Sequence, residues 1–231
     1  LDYVDGKHIG QAEPFPLYFK PKRLLSRQDI MDGMRDHYEG TPFDVQKDCG
    51  MGPGEMPYRP TPLEFTHNGK KYFNERPIST QQTADTYIAQ IRGWLPDAVG
   101  GILWYGSDDP NMISYTPIYC QNTSVPECFD APGADGCNFS WKSAFWVCNW
   151  VSNMTYPRYN HLFPVVKEVR DGLDKDLSAK QPEVEAKAVA LYKSNPAEAV
   201  RYLTSYSAER GATMLTTWKA LGERLIVEFN D

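Results

Sequence analysis

Thr86-Tyr87-Ile88-Ala89-Gln90-Ile91-Arg92 alternates apolar and polar side chains, the period-two pattern of a half-buried strand. Gly101-Ile102-Leu103-Trp104-Tyr105-Gly106 follows as a short apolar run and reads as the next strand, joined through Trp94-Leu95-Pro96-Asp97. A third strand is expected over 114–119. Upstream, apolar and aromatic runs at 63–65 and 71–73 flank His67-Asn68-Gly69, and an Asn-Gly step in that setting signals a hairpin. The stretch 121–137 reads as loop.

Beyond Ser140 the period changes. Residues 141–152 read as a buried, aromatic-rich helix. Residues 159–193 carry heptad-like apolar spacing at Leu162, Val165, Val166, Val169 and Leu173, with a break expected before Pro182. Pro196 suits the first turn of a helix running to about Tyr206, and 213–221 is helical again. Residues 225–229 fit a closing strand or a helix tail. At the other end, 1–25 reads as an extended, packed lead-in. Ser26 and Asp29 form a short-acid capping box, Ile30, Met34 and Tyr38 recur at helical spacing, and Gly40 is a natural stop. A helix is therefore expected over 26–39, followed by a long Gly- and Pro-rich loop over 41–62 of the kind that is often functional. One helix, then antiparallel strands, then helices gives the α+β class. The division expected is 1–139 (helix, loop and strands) and 140–231 (mainly helical).

The chain has 231 residues, 41% hydrophobic and 23% charged, which fits a globular protein with a sizeable core and argues against global disorder. A net charge of -6 leaves no basic face for nucleic acid and does not favour an anionic membrane surface. No apolar stretch approaches the roughly 20 residues that span a bilayer, so no membrane insertion is expected. The start at Leu1 is neither a signal peptide nor a Met, and it suggests that something upstream was removed. Four of the five cysteines (Cys120, Cys128, Cys137, Cys148) fall in one stretch, without a CxxC pair. They read equally as disulfides of an oxidising compartment or as free thiols. Sequons begin at Asn122, Asn138 and Asn153, which matters only in a secreted eukaryotic setting. A lost upstream segment could have carried an export signal, which slightly favours a periplasmic or secreted location.

Several groups could carry chemistry. Cys49 lies in a flexible loop with His37 twelve residues upstream, a nucleophile–base pairing or merely a loop cysteine. With four His and no HExxH, a His-based metal centre is not expected. Arg76, in Arg76-Pro77-Ile78-Ser79, offers a permanent charge and a rigid fork of donors. It could pin a nucleophile, a carboxylate or an oxyanion, or simply pair with Glu75 or Asp85. Arg35 and Glu39, four apart, would share a helix face beside Tyr38, either as a pocket wall or as a solvated surface. Trp141, Phe145 and Trp146 read as core rather than cofactor box.

Taken together these segments resemble one family. Arg35-Asp36-His37-Tyr38-Glu39-Gly40-Thr41, then Gly52-Pro53 and Pro57-Tyr58-Arg59, is similar to the helix-and-loop motif of the peptidase-D-type cysteine dipeptidases, within the N-terminal nucleophile hydrolase superfamily. Arg76-Pro77-Ile78-Ser79, Tyr87 to Arg92, Leu95-Pro96, Trp104, Pro110 and Tyr115-Thr116-Pro117-Ile118-Tyr119 resemble its strand motif. Ala144-Phe145-Trp146 and Val151-Ser152-Asn153 resemble the helix after it. The likeness runs over about 26–160. It implies a four-layer αββα sandwich, a dipeptide substrate, no cofactor and no metal. It also implies a cysteine nucleophile at a mature N-terminus, with the free α-amino group as base. Leu1 is not Cys, so the resemblance implies that this chain is the C-terminal portion and that a missing upstream segment carries the nucleophile. Arg76 best matches an arginine beside that cysteine, and Arg35, Tyr38, Glu39 and Trp104 are expected to bind substrate. The rival expectation is a non-catalytic binding or assembly module with an aromatic docking surface. Self-association into a homo-oligomer is left open.

Overall fold

The structure, a computed structural model, describes residues 17–47, 51–59, 64–73 and 76–230. Helix α1 (Arg27–Met34) opens with the expected capping box: the Asp29 backbone N–H donates to Ser26 Oγ at 3.1 Å and the Ser26 N–H to Asp29 Oδ2 at 2.7 Å. It ends five residues before the expected boundary. The Asp36 carboxylate takes the Tyr38 N–H at 2.7 Å, an Asx turn that competes with the helix, and Tyr38 sits at φ 63. Arg35 and Glu39 therefore do not share a helix face. The lead-in also differs from expectation, because Leu17, Tyr18, Phe19 and Leu24 are exposed; residues 1–16 lie outside the described residues.

Strands β1 (Glu64–His67) and β2 (Lys70–Phe73) pair around Asn68 and Gly69, both at positive φ (49° and 74°), as a tight hairpin turn requires. Strand β3 (Asp85–Ile91), the short helix α2 (Asp97–Gly100), β4 (Gly101–Ser107) and β5 (Thr116–Tyr119) follow, close to the expected limits. Their antiparallel sheet has the order β3-β4-β5, with Ile88 opposite Trp104 and Trp104 opposite Pro117. Thr86, Ile102, Trp104 and Tyr119 lie on the buried face. Tyr87 (61% exposed) and Ile91 (82%) point the other way.

Helix α3 (Ala144–Thr155) is followed by α4 (Tyr159–Ser194) and α5 (Pro196–Glu228), which pack on each other; α5 also packs on β5. Helix α4 runs unbroken through Pro182. That proline is exposed, on the solvent side of the helix, where the lost backbone hydrogen bond is tolerated. The buried stripe of α4 runs from Tyr159 through Leu162, Val166, Arg170, Asp174, Leu177 and Gln181 to Val184 and Ala188, at steps of three and four. It thus includes two charged residues that an apolar reading passes over. The two expected C-terminal helices are one, and residues 225–228 are its tail. Its Gly211 faces Pro126 and the Cys128 thiol, a contact that leaves no room for a larger side chain. Of the aromatic group expected in the core, Trp141 is half exposed, while Phe145 and Trp146, at the start of α3, are only partly buried and meet edge to face at 5.2 Å.

Cys120, Cys128, Cys137 and Cys148 are free thiols, Cys128 and Cys148 buried. No helix among the described residues is long and apolar enough to cross a membrane.

Candidate active site

Strand β4 ends in a sharp turn. Asp108 adopts φ 92, a strained value for a non-glycine residue. Asp109 caps the 3-10 turn Pro110–Met112, and its carboxylate takes the Asn111 N–H at 3.2 Å. Both acids are buried, at 1% and 0% exposure.

Loops and helices converge on this turn. The 76–80 segment brings Ser79, whose hydroxyl donates to Asp109 Oδ1 and accepts the Asn111 N–H at 3.2 Å. Tyr156 donates to Asp109 Oδ2 at 3.4 Å. Asn111 donates to Tyr159 Oη at 2.9 Å, and its two carbonyl groups accept Arg170 Nη1 at 2.7 and 2.8 Å. Arg35 extends the network: Nε donates to the Pro110 carbonyl at 3.0 Å, and Nη2 donates to the Ile113 carbonyl at 3.2 Å and to Asp174 at 2.7 Å. Ser114 donates to the other Asp174 oxygen at 2.7 Å.

Burial sets the charge states here. It pushes the Asp108 carboxyl from its usual 3.8 up to about 7, opposed by the Asp109 N–H bond and reinforced by the Asp109 charge. Asp109 is also raised by burial, against the Ser79 bond and the charges of His37 and Arg170. A carboxyl that titrates near neutrality can hold or release a proton under working conditions. His37 is buried, with Nδ1 3.1 Å from Glu39 Oε1 and its ring 5.6 Å from that of Tyr58. Partial burial raises Glu39, but the bonds from the His37 ring and backbone outweigh it and hold the carboxylate down at about 2. Near this turn, the buried atoms His37 Nε2, Tyr58 Oη and Tyr115 Oη have no hydrogen-bond partner among the described residues.

The residues singled out from the sequence are scattered around this knot. Arg76 is exposed and makes no hydrogen bond or ion pair with any described residue, Asp85 included; Glu75 lies outside them. Glu39 is half exposed, at 54% of its side chain, and touches the knot through His37. Tyr38 packs edge to face on Phe43 at 6.2 Å. Arg35 is 7% exposed, with Nε and Nη2 already engaged. Trp104 is fully buried, donating Nε1 to Gln90 Oε1 at 3.0 Å. Cys49 lies outside the described residues. The sequence reading missed Asp109, Asn111 and Arg170. The available signal was the acid pair before Pro110-Asn111 at a strand end, and Arg170 at the i+4 position from Val166 in the apolar stripe. Among the described residues no group of His, Cys, Asp and Glu could hold a metal ion.

Comparison with known proteins adds a lineage. The family model of peptidase family C69 matches residues 5–171. Dipeptidase A of Lactobacillus helveticus is 28% identical over 142 residues, covering 62% of this chain and 25% of the relative. A probable dipeptidase of Latilactobacillus sakei is 24% identical over 88% of this chain and 37% of its own length. For probable dipeptidase B of Streptococcus pyogenes serotype M1 the figures are 23%, 97% and 43%. The chain thus spans from a quarter to less than half of these relatives.

Proposed function

Since this chain belongs to peptidase family C69, we propose that it is the C-terminal part of a cysteine-type dipeptidase with an αββα N-terminal nucleophile hydrolase fold. The observation that carries this reading is the one-sided sheet. Helices cover one face of β3-β4-β5, and the other presents Tyr87, Ala89 and Ile91 to solvent. A sheet whose second face is left open along β3 fits one half of a two-sheet sandwich. The relatives' names, dipeptidase in each case, supply the substrate class.

In this reading an upstream segment brings the second sheet and an N-terminal cysteine. Its α-amino group, with a pKa near 7.7–8.0, takes the thiol proton. The thiolate adds to the peptide carbonyl, and the amine passes the proton to the departing amino acid as the C–N bond breaks. Water then cleaves the thioester and releases the second amino acid. Arg76, exposed and uncommitted among the described residues, supports the nucleophile or the oxyanion. Glu39, held ionised, reads the substrate's ammonium group beside Tyr38. Arg35 and Trp104 act from behind. Arg35 is occupied by Asp174 and two carbonyls, so it fixes the wall of the pocket and leaves the substrate carboxylate to another cation.

In the intact enzyme Arg76→Ala lowers kcat/KM for dipeptides about 10²-fold, the cost of one oxyanion donor. A change within about twofold would remove Arg76 from the mechanism. The module reading draws on the same exposed surface, with Trp94 79% exposed beside Ile91. It requires the isolated chain to be a stable, inactive monomer, whereas half a sandwich pairs or aggregates.

A further inference from the structure

Glu39 is half exposed, yet both of its carboxylate oxygens are held. The His37 backbone N–H donates to Oε2 at 3.0 Å, and the His37 ring places Nδ1 3.1 Å from Oε1. An ionised carboxylate only accepts, so Nδ1 carries the proton of that bond. The carboxylate has further lone pairs, and 54% of the side chain is open to solvent, which leaves it able to take another donor. His37 itself has little freedom. It is 2% exposed, its ring lies 5.6 Å from that of Tyr58, and Tyr58 meets Tyr156 edge to face at 5.2 Å. Its other nitrogen, Nε2, has no partner among the described residues, so among them the ring's one hydrogen bond goes to Glu39. The turn between the two residues is fixed as well. Thr41 donates its N–H at 3.0 Å and its hydroxyl at 2.7 Å to the Tyr38 carbonyl, and Tyr38 is held at φ 63. Such a backbone value persists only where the surroundings impose it. The Ser79 N–H donates to the Asp36 carbonyl at 3.1 Å, which ties this turn to the segment that carries Arg76.

We infer that His37 is the positioning residue of the substrate's amine subsite: its ring Nδ1–H and its backbone N–H fix the Glu39 carboxylate in the orientation that receives the ammonium group of a dipeptide. This rests on the proposed role of Glu39 as the reader of that ammonium. A free glutamate on a loop loses rotamer freedom when it binds a ligand, and one already fixed does not. Burial works against the ionised form of Glu39, and the His37 bonds counter it. With 1% of its side chain exposed, the His37 ring acts through Glu39 and not on the substrate itself.

The test compares variants of the intact enzyme on alanyl-leucine and on propionyl-leucine, which lacks the amine. His37→Phe keeps a ring against Tyr58 and removes the donor. It raises KM for alanyl-leucine about tenfold, the scale of one hydrogen bond to a charged group, and leaves kcat within about threefold. Hydrolysis of propionyl-leucine stays within the same margin. His37→Asn puts an amide N–H near the Nδ1 position and restores KM to within about threefold of the wild type. Equal losses on both substrates, or equal impairment in the two variants, would reduce His37 to a packing role and overturn the proposal. Glu39→Gln separates this from the reading beneath it. If that variant raises KM and His37→Phe does not, Glu39 keeps its role and His37 loses its own. If Glu39→Gln leaves KM unchanged, the amine reading fails and the positioning role falls with it. If the His37 variants do not fold, the wild-type ring decides. A protonated Nδ1 whose nitrogen resonance moves in Glu39→Gln supports the grip, and a bare Nδ1 overturns it.

Discussion

Arg170 holds Asn111, 59 residues away in sequence, at two points: one Nη1 nitrogen reaches the backbone carbonyl at 2.7 Å and the side-chain carbonyl at 2.8 Å. This fixes the turn after β4 to the middle of α4. The same asparagine donates its backbone N–H to Ser79 and Asp109. One residue thereby orients the whole buried turn. Arg170→Met removes both bonds and leaves two buried carbonyl oxygens bare. It lowers stability by about 3 kcal/mol in urea unfolding. A loss below about 0.5 kcal/mol would show that the turn holds without α4.

Two arginines named from the sequence part company by burial. Arg35, paired with Asp174 at 2.7 Å and 7% exposed, is structural. Arg35→Ala strands a buried carboxylate and costs about 3–5 kcal/mol. Arg76→Ala removes a surface side chain and changes stability by about 0.5 kcal/mol or less, while dipeptide hydrolysis falls. Melting curves of both variants separate the roles, and equal destabilisation would refute the assignment.

Asp108 couples stability to pH. Its carboxyl titrates at about 7 in the folded chain against 3.8 when unfolded. Between those values the folded state holds a proton that the unfolded state has lost. Stability therefore falls as pH rises from about 4 to 7 and stays low above. Asp108→Asn removes this dependence. Relative to the wild type, its stability should rise by roughly 2–4 kcal/mol between pH 4.5 and pH 8. A difference that stays flat across that range would show that Asp108 is not the titrating group.

Two glycines in the long helices have opposite roles. A methyl group on Gly222 would run into the Trp150 ring, where α5 meets α3, whereas one on Gly172 meets nothing within 4 Å. Gly222→Ala should destabilise by about 1–3 kcal/mol through overpacking. Gly172→Ala should stabilise by about 0.5–1 kcal/mol through helix propensity. Thermal melts of the pair check the packing of α3 on α5, and equal effects would argue against it.

The sheet and hairpin were legible because their signals are local: alternation in β3, Asn-Gly in the turn, Ser26 and Asp29 at a helix start. The end of α1 was not, because Asp36 competes for the Tyr38 N–H in a way that spacing does not reveal. Helix α5 was read as two, ending near Tyr206 and resuming at 213; the intervening Gly211 is explained by the close approach of Pro126 and Cys128, a tertiary fact. The knot was least legible. Arg170 and Asp174 look like surface charges until Asn111, Arg35 and Ser114 arrive from elsewhere in the chain. Of the residues named in advance, the fully buried Trp104 shows the same difficulty, since an aromatic side chain fits a pocket wall and a core equally well.

The proposed dipeptidase mechanism places the nucleophile on a cysteine outside residues 1–231. Intact-protein mass spectrometry of the full enzyme, acid-quenched during dipeptide turnover and followed by peptide mapping, tests it directly. One aminoacyl adduct is expected, in thioester linkage, on an N-terminal cysteine outside residues 1–231. An adduct on Cys49, or turnover by the 231-residue chain alone, would contradict it.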